Sequence, residues 1–231
     1  MIEIKNAMKK YKGKNALDGL SVTIEEGKIT ALLGINGVGK STTLKSIMGL
    51  TKLTKGEILV DGEKVTHNTY NKLAFVPDVD NYYAYMSVEE AFEFMNDFYI
   101  NWDMDKAYKM AEELKVDINA KIAKMSKGNI AKVKIILGFA QNAKYLLLDE
   151  PFSGIDIFTR EKFISSIIRY MSDDMAIVIT THEIKEIENI ADDVILLDEG
   201  KLVLKFNAQE VKEEEGLSIV EKMREVYSDV I

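Results

Sequence analysis

Apolar and polar positions follow two different periods along this chain, and the change of period divides it into segments. Short apolar runs bounded by turn residues predict buried strands. These runs are residues 2–4, 20–24, 29–33, 73–76, 145–148, 176–180 and 194–197. Glu26 and Gly27 predict a hairpin turn between the runs at 20–24 and 29–33, and Asp61 and Gly62 predict another tight turn after residue 60.

A helical period replaces these strands in the middle of the chain, from Ser87 to Gln141. Apolar residues recur there every three or four positions, which is typical of helices with one buried face. The three stripes are Val88, Phe92, Met95 and Tyr99; Ala107, Met110 and Leu114; and Ile130, Val133, Leu137 and Ala140.

Strands return after this segment and alternate with helical patterns near residues 158–171 and 184–190. Apolar strands alternating with helices predict an α/β fold with a largely parallel sheet covered on both faces. We therefore expect a single domain over residues 1–231. Its core spans about 1–81 and 143–210, a helical insert spans about 82–142, and an amphipathic helix at about 211–231 packs on the same domain.

Composition narrows the classes of function. The 231 residues carry a net charge of −8, which argues against a broad nucleic-acid-binding surface. The chain has no cysteine, so disulfides and thiolate-bound metals are excluded, and a reducing cytosol fits. No apolar run approaches the roughly 18 residues that span a bilayer, and no signal peptide is visible. Any membrane role is therefore expected to come through a partner.

The loop after the run at 29–33 has the pattern G-x-x-x-x-G-K-[ST], read as Gly34-Ile35-Asn36-Gly37-Val38-Gly39-Lys40-Ser41. Glycines there let backbone N–H groups curl around an anion, and the helix that starts near Lys40 adds its positive dipole end. Lys40 should reach the terminal phosphates of a nucleotide, and the Ser41 hydroxyl should bind Mg²⁺. The predicted nucleotide contacts in this segment are Gly34, Asn36, Gly37, Gly39, Lys40, Ser41 and Thr42.

Two later strands end in chemically active side chains. Asp149 and Glu150 follow the run at 145–148; Asp149 suits Mg²⁺ binding, and Glu150 suits activation of a water that attacks the terminal phosphate. His182 follows the run at 176–180 and suits a contact to that phosphate. His67 lies in a polar stretch with no such neighbours, and we interpret it as a surface residue.

The order of these motifs resembles that of ATP-binding cassette (ABC) ATPases over nearly the whole chain. The resemblance implies a phosphate-loop ATPase core with N-terminal antiparallel strands and a helical subdomain, and ATP and Mg²⁺ as cofactors. Ser153-Gly154-Ile155-Asp156 resembles the family's loop after the catalytic acid, and His182 matches its switch histidine. Tyr11 stands where the family stacks an aromatic ring on adenine.

Two motifs depart from the family pattern. Its LSGGQ signature corresponds to Met125-Ser126-Lys127-Gly128-Asn129, in which Lys127 replaces a glycine. Ser126 can still cap the following helix and Gly128 can leave backbone N–H groups accessible, so both are predicted to contact the nucleotide. Asp78 stands where the family has a glutamine that touches the metal and the attacking water. A carboxylate can accept from a metal-bound water but cannot donate as an amide does.

The resemblance also implies partners. In the family, one chain's helical insert covers the other chain's ATP, which predicts a dimer with a second ATPase subunit, either a copy or a similar chain. It further implies a separate membrane-spanning subunit, with this chain cytoplasmic on the inner face of the membrane and no nucleic-acid partner. Residues 80–87 and 98–103 resemble bacterial exporters of drugs and peptide antibiotics, and the aromatic residues at 82–85 could receive that subunit.

Two alternatives remain open at this point. A signalling GTPase would need an N-K-x-D motif, and Asn71-Lys72-Leu73-Ala74 lacks the aspartate. A soluble or regulatory cassette that is not coupled to transport is the other alternative, given Asp78 and the altered signature.

Overall fold

Two β-sheets and a set of flanking helices make up the computed structural model, which describes residues 1–79 and 85–228. Its strands are β1 (Ile2–Tyr11), β2 (Lys14–Ile24), β3 (Ile29–Leu33), β4 (Lys55–Val60), β5 (Glu63–Lys64), β6 (Leu73–Val76), β7 (Tyr145–Asp149), β8 (Ala176–Thr180), β9 (Asp193–Asp198) and β10 (Lys201–Asn207). Its α-helices are α1 (Lys40–Ile47), α2 (Val88–Phe98), α3 (Met104–Glu113), α4 (Lys127–Phe139), α5 (Ile157–Tyr170), α6 (Ile184–Ile187), α7 (Ala208–Glu214) and α8 (Ile219–Ser228). Short 3-10 helices cover His67–Lys72 and Ile122–Lys124.

The larger sheet has six strands in the order β10-β9-β3-β8-β7-β6. All its neighbouring strands run parallel except β10, which pairs antiparallel with β9. The predicted α/β class with a mostly parallel sheet is therefore confirmed. Strand β10 is not among the predicted strands, although residues 202–204 are apolar, and its residues are mostly half-buried because it lies at the sheet edge.

The smaller sheet has four strands in the order β2-β1-β4-β5, all antiparallel. Its hairpin between β4 and β5 turns at Asp61 and Gly62, which both have positive φ, as the sequence predicts. The predicted hairpin at Glu26 and Gly27 is wrong. Strand β2 pairs with β1 whereas β3 pairs with β8 and β9, so this turn carries the chain from one sheet to the other.

Alternate residues of the six-stranded sheet feed two separate hydrophobic clusters. Leu147, Val178 and Ile195 point toward the four-stranded sheet and α1. Leu146 and Ile179 belong to the other face, where α2, α3, α4 and α5 cover the sheet. The side-chain period of two along a strand explains this division, and it explains why these strands read as continuous apolar runs.

The three α-helices described between β6 and β7 begin at side-chain caps. Ser87 accepts from the Glu90 N–H and Glu90 accepts in return from the Ser87 N–H, which forms a capping box on α2. Asp103 caps α3 and Ser126 caps α4 through their side-chain oxygens. The predicted cap at Ser126 is confirmed, and it sets the direction in which the tip of α4 points.

The C-terminal helix α8 lies against the rest of the chain. Met223, Val226 and Tyr227 pack on the larger hydrophobic cluster, which is the one on the sheet face that α2, α3, α4 and α5 cover. The Tyr227 hydroxyl donates to the Leu197 carbonyl at 3.1 Å. Helix α8 therefore packs on its own chain. The segment at about 211–231, predicted as one helix, holds the end of α7 and then α8, with residues 215–218 between them; residues 229–231 lie outside the described residues. Within residues 1–79 and 85–228, none of the helices combines the length and apolar character that a membrane span requires.

Candidate nucleotide site

Three neighbouring strands end at one edge of the six-stranded sheet and deliver the predicted motifs there. The order β3-β8-β7 places the glycine-rich loop after β3 next to His182 after β8 and Glu150 after β7. Parallel strands have their carboxyl ends at the same edge, where open α/β sheets bind their ligands. Ser41 and Asp149 are 108 positions apart in the sequence, and this arrangement brings them into contact. The Ser41 hydroxyl donates a hydrogen bond to the Asp149 carboxylate.

The loop of residues 34–39 is a backbone-lined cradle. Gly39, which precedes α1, has φ +112°, and a Cβ built on it would lie 2.3 Å from the Ala16 carbonyl oxygen. At Gly34 a Cβ would lie 2.4 Å from the Leu197 carbonyl oxygen. Neither position can hold a larger residue without a backbone shift, because the loop packs directly on β2 and β9. Residues of this loop and the start of α1 line one cavity. This placement suits a phosphate, because glycine-rich loops and helix N-termini offer backbone N–H groups to anions.

Lys40 lies under this loop and is almost completely buried. Its Nζ donates to the carbonyl oxygens of Gly34 at 2.7 Å and Ile35 at 3.2 Å. Burial lowers the pKa of the Lys40 ammonium, against the opposing effect of the Glu150 and Asp149 carboxylates. A phosphate at the cradle would supply the strong negative charge that a buried ammonium favours.

Ser41 and Asp149 face each other across the site. The Ser41 hydroxyl donates to Asp149 Oδ1 at 2.9 Å, and the Thr180 hydroxyl donates to the same oxygen at 2.7 Å. These hydroxyl and carboxylate oxygens are the hard donors that Mg²⁺ prefers. Over the described residues there is no group of three or more His, Cys, Asp and Glu that could hold a metal. The donor set therefore fits Mg²⁺ that also takes oxygens from phosphate and water.

Glu150 and His182 form a pair beside the cradle. His182 Nε2 lies 3.2 Å from Glu150 Oε1, and the His182 backbone N–H donates to Glu150 Oε2 at 3.2 Å. Burial raises the pKa of the Glu150 carboxyl, although His182 and Lys40 oppose that shift. Glu150 has φ +49°, and its own N–H donates to Thr180. The backbone thus turns the carboxylate away from the strand toward the cavity.

These side chains line one cavity of about 270 Å³. Its walls include all the predicted nucleotide contacts of the loop and the first turn of α1 except Gly34. They also include the predicted catalytic residues Glu150 and His182 and the predicted metal contact Asp78. The lining residues are Asn36, Gly37, Gly39, Lys40, Ser41, Thr42, Asp78, Glu150 and His182. Asp149 stands behind Ser41 rather than on the cavity wall.

Three predicted nucleotide contacts lie elsewhere in the chain. Tyr11 is 46% exposed, its hydroxyl lies 3.3 Å from Thr51 Oγ1, and Lys9 covers its ring. Ser126 and Gly128 lie at the tip of α4, and a Cβ on Gly128 would lie 3.8 Å from Asp156 Oδ2 and from Thr159 Oγ1. The tip therefore lies near the start of α5, and neither Ser126 nor Gly128 is on the wall of the cavity that the phosphate loop lines.

Thr180 is a site residue that the sequence reasoning missed. Its hydroxyl donates to Asp149 and also accepts the Glu150 N–H at 3.0 Å, so it orients both acids. Register explains the contact, because Thr180 pairs with Asp149 across β7 and β8. A polar residue at the end of the apolar run at 176–180 was the available signal. His67 is exposed, as predicted, and the aromatic residues Tyr82 and Tyr83 lie outside the described residues.

Comparisons with known proteins show the family of this chain. Residues 17–153 match the family model of the ABC transporter. The xylose/arabinose import ATP-binding protein XylG of Sulfolobus acidocaldarius is 30% identical over 93% of this chain and 91% of its own. The SkfA peptide export ATP-binding protein SkfE of Bacillus subtilis is 30% identical over 88% of this chain and 87% of its own.

Solved structures show the same fold. A dimeric ATP-binding cassette in a post-hydrolysis state with ADP and Pi superposes with a TM-score of 0.79, at 24% identity, over 90% of this chain and 99% of that one. Since the family model covers more than half of the 231 residues, the chain belongs to the ABC transporter family. It is an ATP-binding ATPase subunit of that family, which decides against the GTPase alternative.

Proposed function

We propose that this chain works in pairs, each closing over ATP and Mg²⁺, and that hydrolysis drives a separate membrane-spanning partner. The division of the site carries this proposal. The cradle, Glu150 and His182 line one cavity, whereas Ser126 and Gly128 at the tip of α4 are not on its wall. A second chain, a copy or a similar cassette, can present its α4 tip to this cavity. The solved cassette with ADP and Pi is dimeric, which supports the pairing.

Nucleotide binding is assigned to the cradle. The loop N–H groups and Lys40 hold the terminal phosphates, Thr42 adds a hydroxyl in the first turn of α1, and Tyr11 offers its exposed ring to the base. Ser41 and Asp149 hold Mg²⁺, with Asp78 as a further oxygen donor. When bound, Mg²⁺ neutralises phosphate charge and polarises the phosphoryl oxygens.

Glu150 is the proposed general base. Its raised pKa makes the carboxylate a better proton acceptor than an ordinary surface glutamate, and the cavity wall holds it next to the phosphate cradle. His182 lies against its other side and restrains the carboxylate through two contacts. His182 is also placed to donate toward the terminal phosphate.

Coupling to the membrane partner is assigned to an apolar groove between the core and the helical insert, which we take to span residues 82–142. This groove has a volume of about 660 Å³ and lies between β6, α2 and α4. Met86, Phe94 and Phe98 are among its walls, and Tyr85 beside it is 70% exposed. Exposed aromatic and methionine side chains are typical interface anchors. The groove favours a transport role over a regulatory cassette without a membrane partner.

Export is the direction that we propose. It rests on the resemblance of residues 80–87 and 98–103 to exporter ATPases, and the peptide-export relative SkfE supports it. Import is the second candidate, because the sugar-import relative XylG is equally identical. In either case the chain is placed at the cytoplasmic face of the membrane through its partner.

The pairing is tested with Glu150→Gln, which preserves the shape of the carboxylate but cannot take a proton. With Mg-ATP, light scattering on a sizing column should show a shift from the 26.1 kDa monomer to a dimer. Lys40→Ala is the matched control: it removes the buried ammonium, so ATP turnover and the dimer should both disappear. A Glu150→Gln profile that stays monomeric with Mg-ATP, alone and mixed with a second cassette of the same transporter, would contradict the pairing. Absence of ATP binding to the native chain in calorimetry would contradict the site itself.

A further inference from the structure

Lys134 lines the apolar groove that the proposed function assigns to the membrane partner, and it contacts Asp78, a residue of the nucleotide cavity. It is a half-buried residue on α4, and its neighbours Val133 and Ile135 are buried in the larger hydrophobic cluster. Its side chain lines the apolar groove of about 660 Å³. It also lines a second cavity of about 420 Å³, whose walls include Asp78 and Glu150.

The ammonium group of Lys134 holds the loop that follows β6. Its Nζ donates to the backbone carbonyl oxygen of Asp78 at 2.8 Å. Asp78 lines the nucleotide cavity together with Lys40, Ser41 and Glu150. The same residue thus meets α4 through its backbone carbonyl and belongs to the wall of the nucleotide cavity.

We propose that Lys134 is a positioning residue for ATP hydrolysis, which sets the Asp78 carboxylate in the nucleotide site by holding the Asp78 carbonyl from α4. This inference rests on the proposed function, in which Asp78 contributes to the metal site. The charge-assisted hydrogen bond is of the stronger kind, and the lysine stem packs along apolar walls while the ammonium reaches the carbonyl.

Helix α4 gives this contact a further consequence. Lys134 is eight residues after the capping Ser126, a rise of about 12 Å along one helix. The buried Ile136 and Phe139 on the same helix anchor it to the core. The α4 tip that faces a second chain and the Lys134 contact to Asp78 therefore move together.

The test compares Lys134→Met, which keeps the apolar stem, with Lys134→Arg, which keeps a cationic donor. Lys134→Met should lower kcat for ATP about tenfold and raise the Mg²⁺ concentration for half-maximal turnover. Lys134→Arg should restore most of both. Calorimetry with ATP in EDTA should give an unchanged Kd for Lys134→Met, because the phosphate cradle is untouched. Lys109→Met, an exposed lysine on α3, is the matched control and should leave all three values unchanged.

A double-mutant cycle decides whether Lys134 acts through Asp78. In an Asp78→Ala background, Lys134→Met should change kcat less than about twofold. An equal loss in both backgrounds, or no rescue by Lys134→Arg, would overturn the inference. If Lys134→Met does not fold by circular dichroism, the shorter Lys134→Leu, which also lacks a hydrogen-bond donor, carries the same comparison. Failure of the proposed function would give a different result. In that case Lys40→Ala, made in the otherwise native chain, would leave ATP turnover unchanged.

Discussion

The Glu150 carboxyl is subject to opposing effects on its pKa. It is only 12% exposed and lies 3.2 Å from His182 Nε2, so burial and a neighbouring imidazole act in opposite directions on its pKa. The effect of burial is the larger, and the pKa is raised. Because its pKa is raised, ionisation of this carboxyl lowers the stability of the folded chain, as is common for a catalytic base.

Removing this charge should stabilise the nucleotide-free chain. A raised folded-state pKa means that the folded chain binds the Glu150 proton more tightly, so stability is lost as pH rises through that pKa. Glu150→Gln imitates the protonated form and should raise the thermal midpoint at pH 8 by roughly 2–4 °C per kcal/mol gained. The difference should disappear below about pH 4.5, where the unfolded-state carboxyl is also protonated.

Scanning calorimetry from about pH 4 to pH 8 measures this difference. Glu161→Gln, at an exposed position on α5, serves as the control and should shift the midpoint little at any pH. A lower midpoint for Glu150→Gln at pH 8 would mean that the contacts with His182 and Lys40 outweigh burial.

At the scale of elements, α4 is held unusually close to the sheet. A Cβ on Gly138 would lie 2.7 Å from Val76 Cγ2 on β6 and 3.2 Å from Leu146 Cδ1 on β7. The absent side chain thus allows the helix that carries Ser126 and Lys134 to approach the strand that leads to Asp78. At the other end of α4, a Cβ on Gly128 would meet its nearest neighbours only at 3.8 Å.

Two alanine substitutions in α4 should therefore have opposite effects. Gly138→Ala should destabilise the chain by about 1–3 kcal/mol, because overpacking outweighs the gain in helix propensity of about 1 kcal/mol. Gly128→Ala should be neutral or stabilising in the nucleotide-free chain, since it gains the propensity without a clash. Urea unfolding followed by circular dichroism gives both values. Equal effects of the two substitutions would show that the contact with Val76 relaxes freely.

At the scale of the whole molecule, the helical insert and the sheet share one hydrophobic cluster. Phe92 and Met110 of the insert belong to the same buried set as Leu146 and Ile177 of the sheet. An insert that shares its core in this way is expected to unfold together with the sheet.

Trp102 offers a direct probe of this cooperativity. It is the single tryptophan of the chain, lies in the insert between α2 and α3, and is 9% exposed. Thermal unfolding followed by Trp102 fluorescence should coincide with unfolding followed by far-ultraviolet circular dichroism, which reports on the whole chain. Mg-ATP should raise both midpoints equally, because it binds only the folded chain. An earlier fluorescence transition would instead show that the insert opens on its own.

Local patterns in the sequence were sufficient to predict many of the strands and helices, the phosphate loop and the two acids at the end of β7. The strands β3, β6, β7, β8 and β9 each have a continuous apolar run, and the loop from Gly34 to Ser41 has a spacing that few other structures use. Asp149 and Glu150 were found because they end such a run. The helical insert was visible as a change of period, since its helices have one buried face.

The sequence by itself determined where strands and helices form and which short motifs they carry, because periodicity and turn chemistry act between near neighbours. Only the tertiary structure decided that β2 and β3 belong to different sheets, that Thr180 orients Asp149, and that Lys134 reaches the Asp78 carbonyl. These contacts join residues far apart in the chain, 31 positions for Thr180 and Asp149 and 56 for Lys134 and Asp78. No local pattern records them, because sheet order and the close approach of α4 arise only when the whole core packs.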